Sequence, residues 1–345
     1  MMRARLTADS RLSRRLLLWS TGVLASTLVV AAPGRFRPVA AQEGTPEPGI
    51  PTVGIVAEGE TTRTLRHSAG ETDVPVNPQR IVALADPLVD AVLALGVTPA
   101  AVATFRGSGY RTYLEDWLEG VPEVGYADSI DLEAVLAAEP DLILVDTYGA
   151  ELSYDQLSKI APTVAFDAWT DTRANQREVG LAIGKAEDAE ARIAAYDETV
   201  ATARGQLDAA VGDETVAFLR IFQRELRLEG GTGETGPMLF GELGLTPAGI
   251  VEPLMDTWAE VLSLEMVPQI DADHLFVQPE IDSDEYYEEL LSSPLWQEVP
   301  AVRNGNVYVV DRWTHWLTRG ILAGELAIAD VMAALAPEDS ATPTA

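Results

Sequence analysis

The chain has no cysteine and only three histidines. The first absence excludes a disulfide framework, thiol chemistry and a lipidated cysteine anchor. The second leaves metal and acid–base chemistry short of groups: His67, His274 and His315 are scattered, and none forms H-x-x-x-H or H-E-x-x-H. There is no G-x-S-x-G turn for an activated serine, which argues against a hydrolase on a doubly wound fold. The glycine-rich stretch at 230–236 lacks a Walker lysine and the G-x-G-x-x-G spacing after a strand, which argues against ATP or a dinucleotide. Basic tracts are missing as well. With 24 Lys and Arg against 54 Asp and Glu the net charge is −30, so nucleic acid and anionic lipid are repelled.

The N-terminus differs from everything after it. SRRLLLW at 13–19 sets paired arginines before an apolar run at 16–32, and small residues, VAAQ, follow at 39–42. The run is short and no stop-transfer pattern follows, so residues 1–41 read as a twin-arginine-like export signal with cleavage near Ala41. The protein is therefore expected outside the cytoplasm, periplasmic or extracytoplasmic, with an uncleaved signal as the remaining means of retention at the membrane. Loss of 1–41 removes seven arginines and one aspartate and takes the charge to −36.

Of the 345 residues 47% are hydrophobic, enough for two cores rather than one. Residues 42–71 form a polar lead-in and an N-terminal strand. From 72 to 171 a cadence repeats: IVAL runs through Asp86 and Pro87 into PLVDAVLALG, and SIDLEAVLAAEPDLILVD predicts a helix capped near Ser129 or Asp131, stopped before Pro140, then a buried strand. Helix and buried strand in alternation predict a parallel sheet with helices on both faces. Residues 172–210 predict two helices split at Gly184, the later one, 186–210, spanning roughly 35 Å. The cadence returns over 211–336, with WAEVLSLEMVPQIDADHLFVQ read as a capped helix and a strand, and 337–345 is a flexible tail. The expected architecture is α/β, two doubly wound Rossmann-like lobes joined by a long rigid interlobe helix with a ligand cleft between them.

The order of NPQRIVAL, LGVTPAAV, DLEAVLAAEPDLILV, IAPTV, the long helix, SLEMVPQIDADHLFV and SPLWQEVPAVRNGNVYVVD resembles the iron-siderophore branch of periplasmic substrate-binding proteins for ABC importers, over residues 72–335. The resemblance implies a non-enzymatic protein, expected as a monomer. It would capture a ferric siderophore and present it to an ABC permease dimer with its cytoplasmic ATPase. Haem or cobalamin is the alternative cargo of the same class. No cofactor is implied; iron would arrive only inside its ligand. Glu133 and Glu265 match the acidic residues that dock the two lobes into permease arginines, although each is also an ordinary helix N-terminal glutamate.

In doubly wound sheets ligands bind outside the carboxyl ends of the strands. Among the residues there, Arg106, Tyr110, Tyr148, Trp169, Arg220, Arg224, Trp313, Trp316 and Arg319 are expected to bind the ligand. Guanidinium donors and ring faces suit a bulky, oxygen-rich complex. DRWTHWLTRG at 311–320 contributes three of them and leaves His315 without catalytic partners. Asp271, Asp273 and His274 read as turn caps, and Tyr286 and Tyr287 as a helix start rather than iron ligands.

Overall fold

The computed structural model describes residues 52–104, 109–126, 129–169, 171–280, 283–311 and 314–337, without the side chains of residues 150 and 152. The expected export signal lies outside the described residues. The described chain opens with an antiparallel three-stranded meander, β1 (Gly54–Glu58), β2 (Thr62–His67) and β3 (Gly70–Pro75). Strand alternation sends Leu65 and Val74 into the core of the first lobe. Arg63 fastens the meander by donating to the Ala182 carbonyl at 3.0 Å.

The first lobe is built from β4 (Ile81–Ala83), α1 (Asp86–Ala94), β5 (Ala101–Thr104), β6 (Glu123–Tyr126), β7 (Ser129–Ile130), α2 (Leu132–Ala137), β8 (Leu142–Asp146), α3 (Thr147–Leu157) and β9 (Thr163–Phe166). Their sheet has the order β7-β6-β5-β4-β8-β9 and is parallel except for the short edge strand β7. The strands β4 and β8 are wholly buried, as strands covered on both faces must be. Local chemistry sets the boundaries. The Asp131 carboxylate accepts the N–H groups of Glu133 and Ala134, starting α2 where the sequence predicts.

Two helices leave this lobe, α4 (Thr172–Ile183) and α5 (Ala186–Val211). The 26 residues of α5 span about 39 Å. Its Ala189 packs in the first core, whereas Ile193, Tyr196, Val200, Ala203 and Leu207 pack in the second. One element therefore belongs to both lobes.

The second lobe comprises β10 (Thr215–Phe222), β11 (Glu225–Glu229), β12 (Thr246–Pro247), β13 (Ala259–Leu262), β14 (His274–Pro279), α6 (Asp284–Ser292), α7 (Pro300–Asn304), β15 (Val307–Val309) and α8 (Ile321–Leu335). The sheet order is β13-β11-β10-β14-β15, with β12 also on β10, and β11 and β13 run antiparallel. This lobe departs from the expected repeat. Residues 259–262 are a strand paired with β11 rather than part of a helix, and Leu264–Gln269 is a tight 3-10 turn. Pro268 lies inside that turn and has no N–H with which to continue an α-helix.

The lobes are also joined at the start of α8. Gly320 precedes that helix without a side-chain cap, and the carboxylate of Asp90 in α1 takes the place of one, accepting the N–H groups of Leu322 at 3.0 Å and Ala323 at 2.9 Å. A Cβ on residue 320 would come within 2.1 Å of the Asp90 carboxyl carbon, so the junction requires glycine there. Tyr113 donates a third hydrogen bond to Asp90 at 3.0 Å. Buried completely, Asp90 is pushed up to about 6 by desolvation, against the opposing pull of these donors and of Arg192.

Candidate ligand cleft

In each sheet the strand order reverses beside the central strand: between β4 and β8 in the first lobe, and between β10 and β14 in the second. The carboxyl ends of these strands carry the charged and aromatic groups.

On the first lobe, Asp86 begins α1 just past β4 and lies 2.7 Å from Arg111, both side chains being buried. Asp146 ends β8, caps α3 by accepting the Gly149 N–H at 2.9 Å, and accepts the Trp169 indole N–H at 3.2 Å. This bond holds Trp169 half-buried beside the strand ends. Tyr148, on the first turn of α3, is 44% exposed, the most open aromatic at this edge among the described residues expected to bind ligand. Tyr110 is half-buried and its hydroxyl donates to the Val121 carbonyl. Asp167, past β9, is pushed up by burial, with Arg319 of the second lobe pulling the other way. That coupling brings a carboxylate of one lobe near a guanidinium of the other.

On the second lobe, Arg220 near the end of β10 is buried between two glutamates. Its NH1 donates to Glu229 at 3.0 Å, and its Nε and NH2 donate to Glu280 at 2.8 and 2.5 Å. The Trp258 ring lies 5.3 Å from its guanidinium carbon. The loop at 230–236 closes over Glu229, and Arg319 donates to two carbonyls of that loop, Thr232 at 3.0 Å and Gly233 at 2.7 Å. Arg224 sits outside, exposed in the turn between β10 and β11, paired with Glu289 at 2.9 Å and 4.9 Å from the centre of the Tyr286 ring. Trp316 is turned inward by the 3-10 turn His315–Leu317; it is 2% exposed, packs on Phe218 and Phe276, and donates to Asp330 at 2.8 Å. Arg106 and Trp313 lie outside the described residues.

The strand ends place Tyr148 and Trp169 at the edge of the first lobe and Arg220 and Arg319 at that of the second; Tyr110 is tied to the Val121 carbonyl, Arg224 stands on an outer edge and Trp316 lies in the core. Sequence reasoning did not single out Arg111, Glu229 or Asp90, because their burial and pairing arise only in tertiary packing and leave no local signal.

The histidines are engaged elsewhere. His67 pairs with Thr72, His274 with Glu214 and Tyr308, and His315 with Asp330. Among the described residues no three His, Asp or Glu side chains are grouped to hold a metal ion. Asp271 and Asp273 accept backbone N–H groups of Ile250 and Thr215, and Tyr286 and Tyr287 belong to α6.

Residues 81–312 match the family described as periplasmic binding protein. The chain belongs to that family, on its iron-siderophore branch. The probable siderophore-binding lipoprotein YfiY of Bacillus subtilis (strain 168) is 32% identical over 289 residues, covering 78% of this chain and 86% of the relative. The iron(3+)-hydroxamate-binding protein FhuD of the same organism is 29% identical over 279 residues, with 78% and 86% covered. Among solved structures, Staphylococcus aureus SirA complexed with staphyloferrin B superposes with a TM-score of 0.69 at 26% identity, covering 79% of this chain and 98% of that one. These relatives are binding proteins, and the chain is a binding protein rather than an enzyme.

Proposed function

We propose that the protein captures a ferric siderophore outside the cytoplasmic membrane and delivers it to the permease of an ABC importer. The observation that carries this reading is its similarity, along most of the described chain, to siderophore-binding proteins. The cleft supports it chemically. Tyr148 and Trp169 offer ring faces to an organic periphery, and Arg220 and Arg319 offer donors to the oxygen shell around iron; Arg106, Tyr110 and Trp313 are further candidates from the sequence. Iron enters as cargo inside its ligand and needs no metal site of the protein. Trp316 backs the second-lobe wall from within, and Arg224 serves its outer edge.

The test is equilibrium binding by tryptophan fluorescence against ferric hydroxamates, ferric catecholates, ferric citrate, haem and cobalamin. Saturable quenching by one of the ferric complexes is expected; quenching by haem or cobalamin alone would reject the siderophore assignment. Export is proposed to use residues 1–41 as a twin-arginine signal. Replacing Arg14 and Arg15 by lysine should hold the protein in the cytoplasm, and unchanged export would reject that route.

Docking is assigned to Glu133 and Glu265. Both are exposed, one in the first turn of α2 and one in the 3-10 turn of the second lobe. One carboxylate per lobe can orient the protein on paired permease arginines.

A further inference from the structure

Glu229 is a buried carboxylate tied directly to the cleft arginine. It is 0% exposed. One oxygen accepts from Arg220, and the other accepts the Glu234 N–H at 2.9 Å. A Cβ at Gly233 would lie 2.1 Å from that second oxygen, so the glycines of the 230–236 loop let the backbone close over the carboxylate. The sequence feature that superficially resembles a phosphate cradle is the lid of this carboxylate.

The charged groups facing Glu229 come from every side of the cluster. Arg220 approaches from β10, Glu280 from the end of β14 through the shared guanidinium, and Glu234 from the loop above. Arg319 grips the same loop through its carbonyls. Glu229 is the more enclosed of the two carboxylates on Arg220, at 0% exposed against 9% for Glu280. Burial pushes it up to about 7, with Arg220 pulling down and Glu234 pushing up. A guanidinium carries five N–H donors, and the bonds to Glu229 and Glu280 use three of them. Two donors are left for an incoming oxygen.

We propose that Glu229 is the proton-linked partner of Arg220: when an anionic oxygen of the cargo engages the guanidinium, Glu229 takes a proton from solvent, whereas a neutral cargo draws none. The proposal rests on reading the cleft as the cargo site. Its physical basis is competition. Three anionic groups around one buried guanidinium repel each other in a medium of low dielectric, and neutralising the most enclosed of them relieves that repulsion. Only an O–H bond forms, at a glutamate oxygen. Anionic ferric complexes are then captured more tightly as pH falls through neutrality.

The experiment is calorimetric titration of the full protein with ferric tris-catecholate, ferric citrate and ferric tris-hydroxamate between pH 6.5 and 8.5, in buffers of different ionisation enthalpy. Expected are uptake approaching one proton per anionic complex, an affinity rising up to about tenfold per unit of falling pH, and no uptake with the neutral hydroxamate. Glu229→Gln should abolish the uptake and flatten the pH profile while still binding the anion. Anion binding without proton uptake, or uptake undiminished in Glu229→Gln, overturns the proton link alone. So does binding of the hydroxamate with failure of both anions. Failure of every ferric complex to bind overturns the cargo reading and this inference together. The proton count of the unmodified protein decides the matter even where Glu229→Gln fails to fold.

Discussion

Asp90 and Glu229 are both fully buried carboxylates pushed upward by desolvation, to about 6 and about 7. Their partners differ. Asp90, at the lobe junction, is held by two backbone N–H groups and the Tyr113 hydroxyl, neutral donors fixed by the fold. Glu229 is held by Arg220, the cation proposed to meet the cargo, and by the Glu234 N–H. The same burial yields a joint in one place and, on our proposal, a charge-responsive group in the other. What separates them is whether the countercharge can be drawn away.

Removing each carboxylate should separate the two roles. Asp90→Ala strands two helix N–H groups and the Tyr113 hydroxyl in the junction, and the cost expected in urea denaturation is roughly 2–5 kcal/mol. Glu229→Gln keeps an acceptor for Arg220 and should change stability far less. Comparable losses in the two variants would mean that Glu229 is as structural as Asp90.

The pH dependence of stability sharpens the contrast. The Asp90 carboxyl titrates near 6 when folded and near 3.9 when unfolded, so the folded state holds its proton more tightly. Its stabilising contribution is complete below about 3.9 and is lost as pH rises to about 6. Measured against Asp90→Asn, the protein should therefore gain on the order of 3 kcal/mol as pH falls through that window. A flat difference would place the Asp90 proton elsewhere. Tyr113→Phe removes one donor from Asp90 and leaves Glu229 untouched. It should cost about 1 kcal/mol and move the Asp90 titration upward, since one donor to the ionised form is gone. An unchanged titration midpoint would show that the hydroxyl contributes nothing to the joint.

The comparison also shows what a sequence can carry. The first lobe was readable because its signals are local: Asp131 before α2, Pro140 after it, the apolar run that becomes β8. The second lobe was less so. The hairpin between β10 and β11 turns at Gln223 and Arg224, with Gln223 at φ 53, and neither residue is a conventional turn former. Without that turn the strand β11 has no local signal, and its partner β13 reads as helix. The cleft was readable as a set of strand ends, because topology places it. Which side chains turn into it was not: Trp316 goes to the core through one 3-10 turn and a bond to Asp330, 14 residues away. Asp90 and Leu322 are separated by 232 residues, so nothing near either of them announces the junction.

Exposed carboxylates complete the series and should have the smallest effect on the folded, ligand-binding molecule. Glu133 and Glu265 stand in solvent, so reversing their charge removes no buried partner. Glu133→Arg combined with Glu265→Arg should shift stability by no more than about 0.5 kcal/mol and leave ferric-complex affinity unchanged. Transport is where the double variant should fail. In vesicles containing the permease and its ATPase, uptake should collapse if, as proposed, each reversed charge meets a permease arginine. Restoration by the reciprocal reversal of those arginines would tie the loss to docking. Undiminished uptake in the double variant would remove both glutamates from the interface and leave them as ordinary residues of helical first turns.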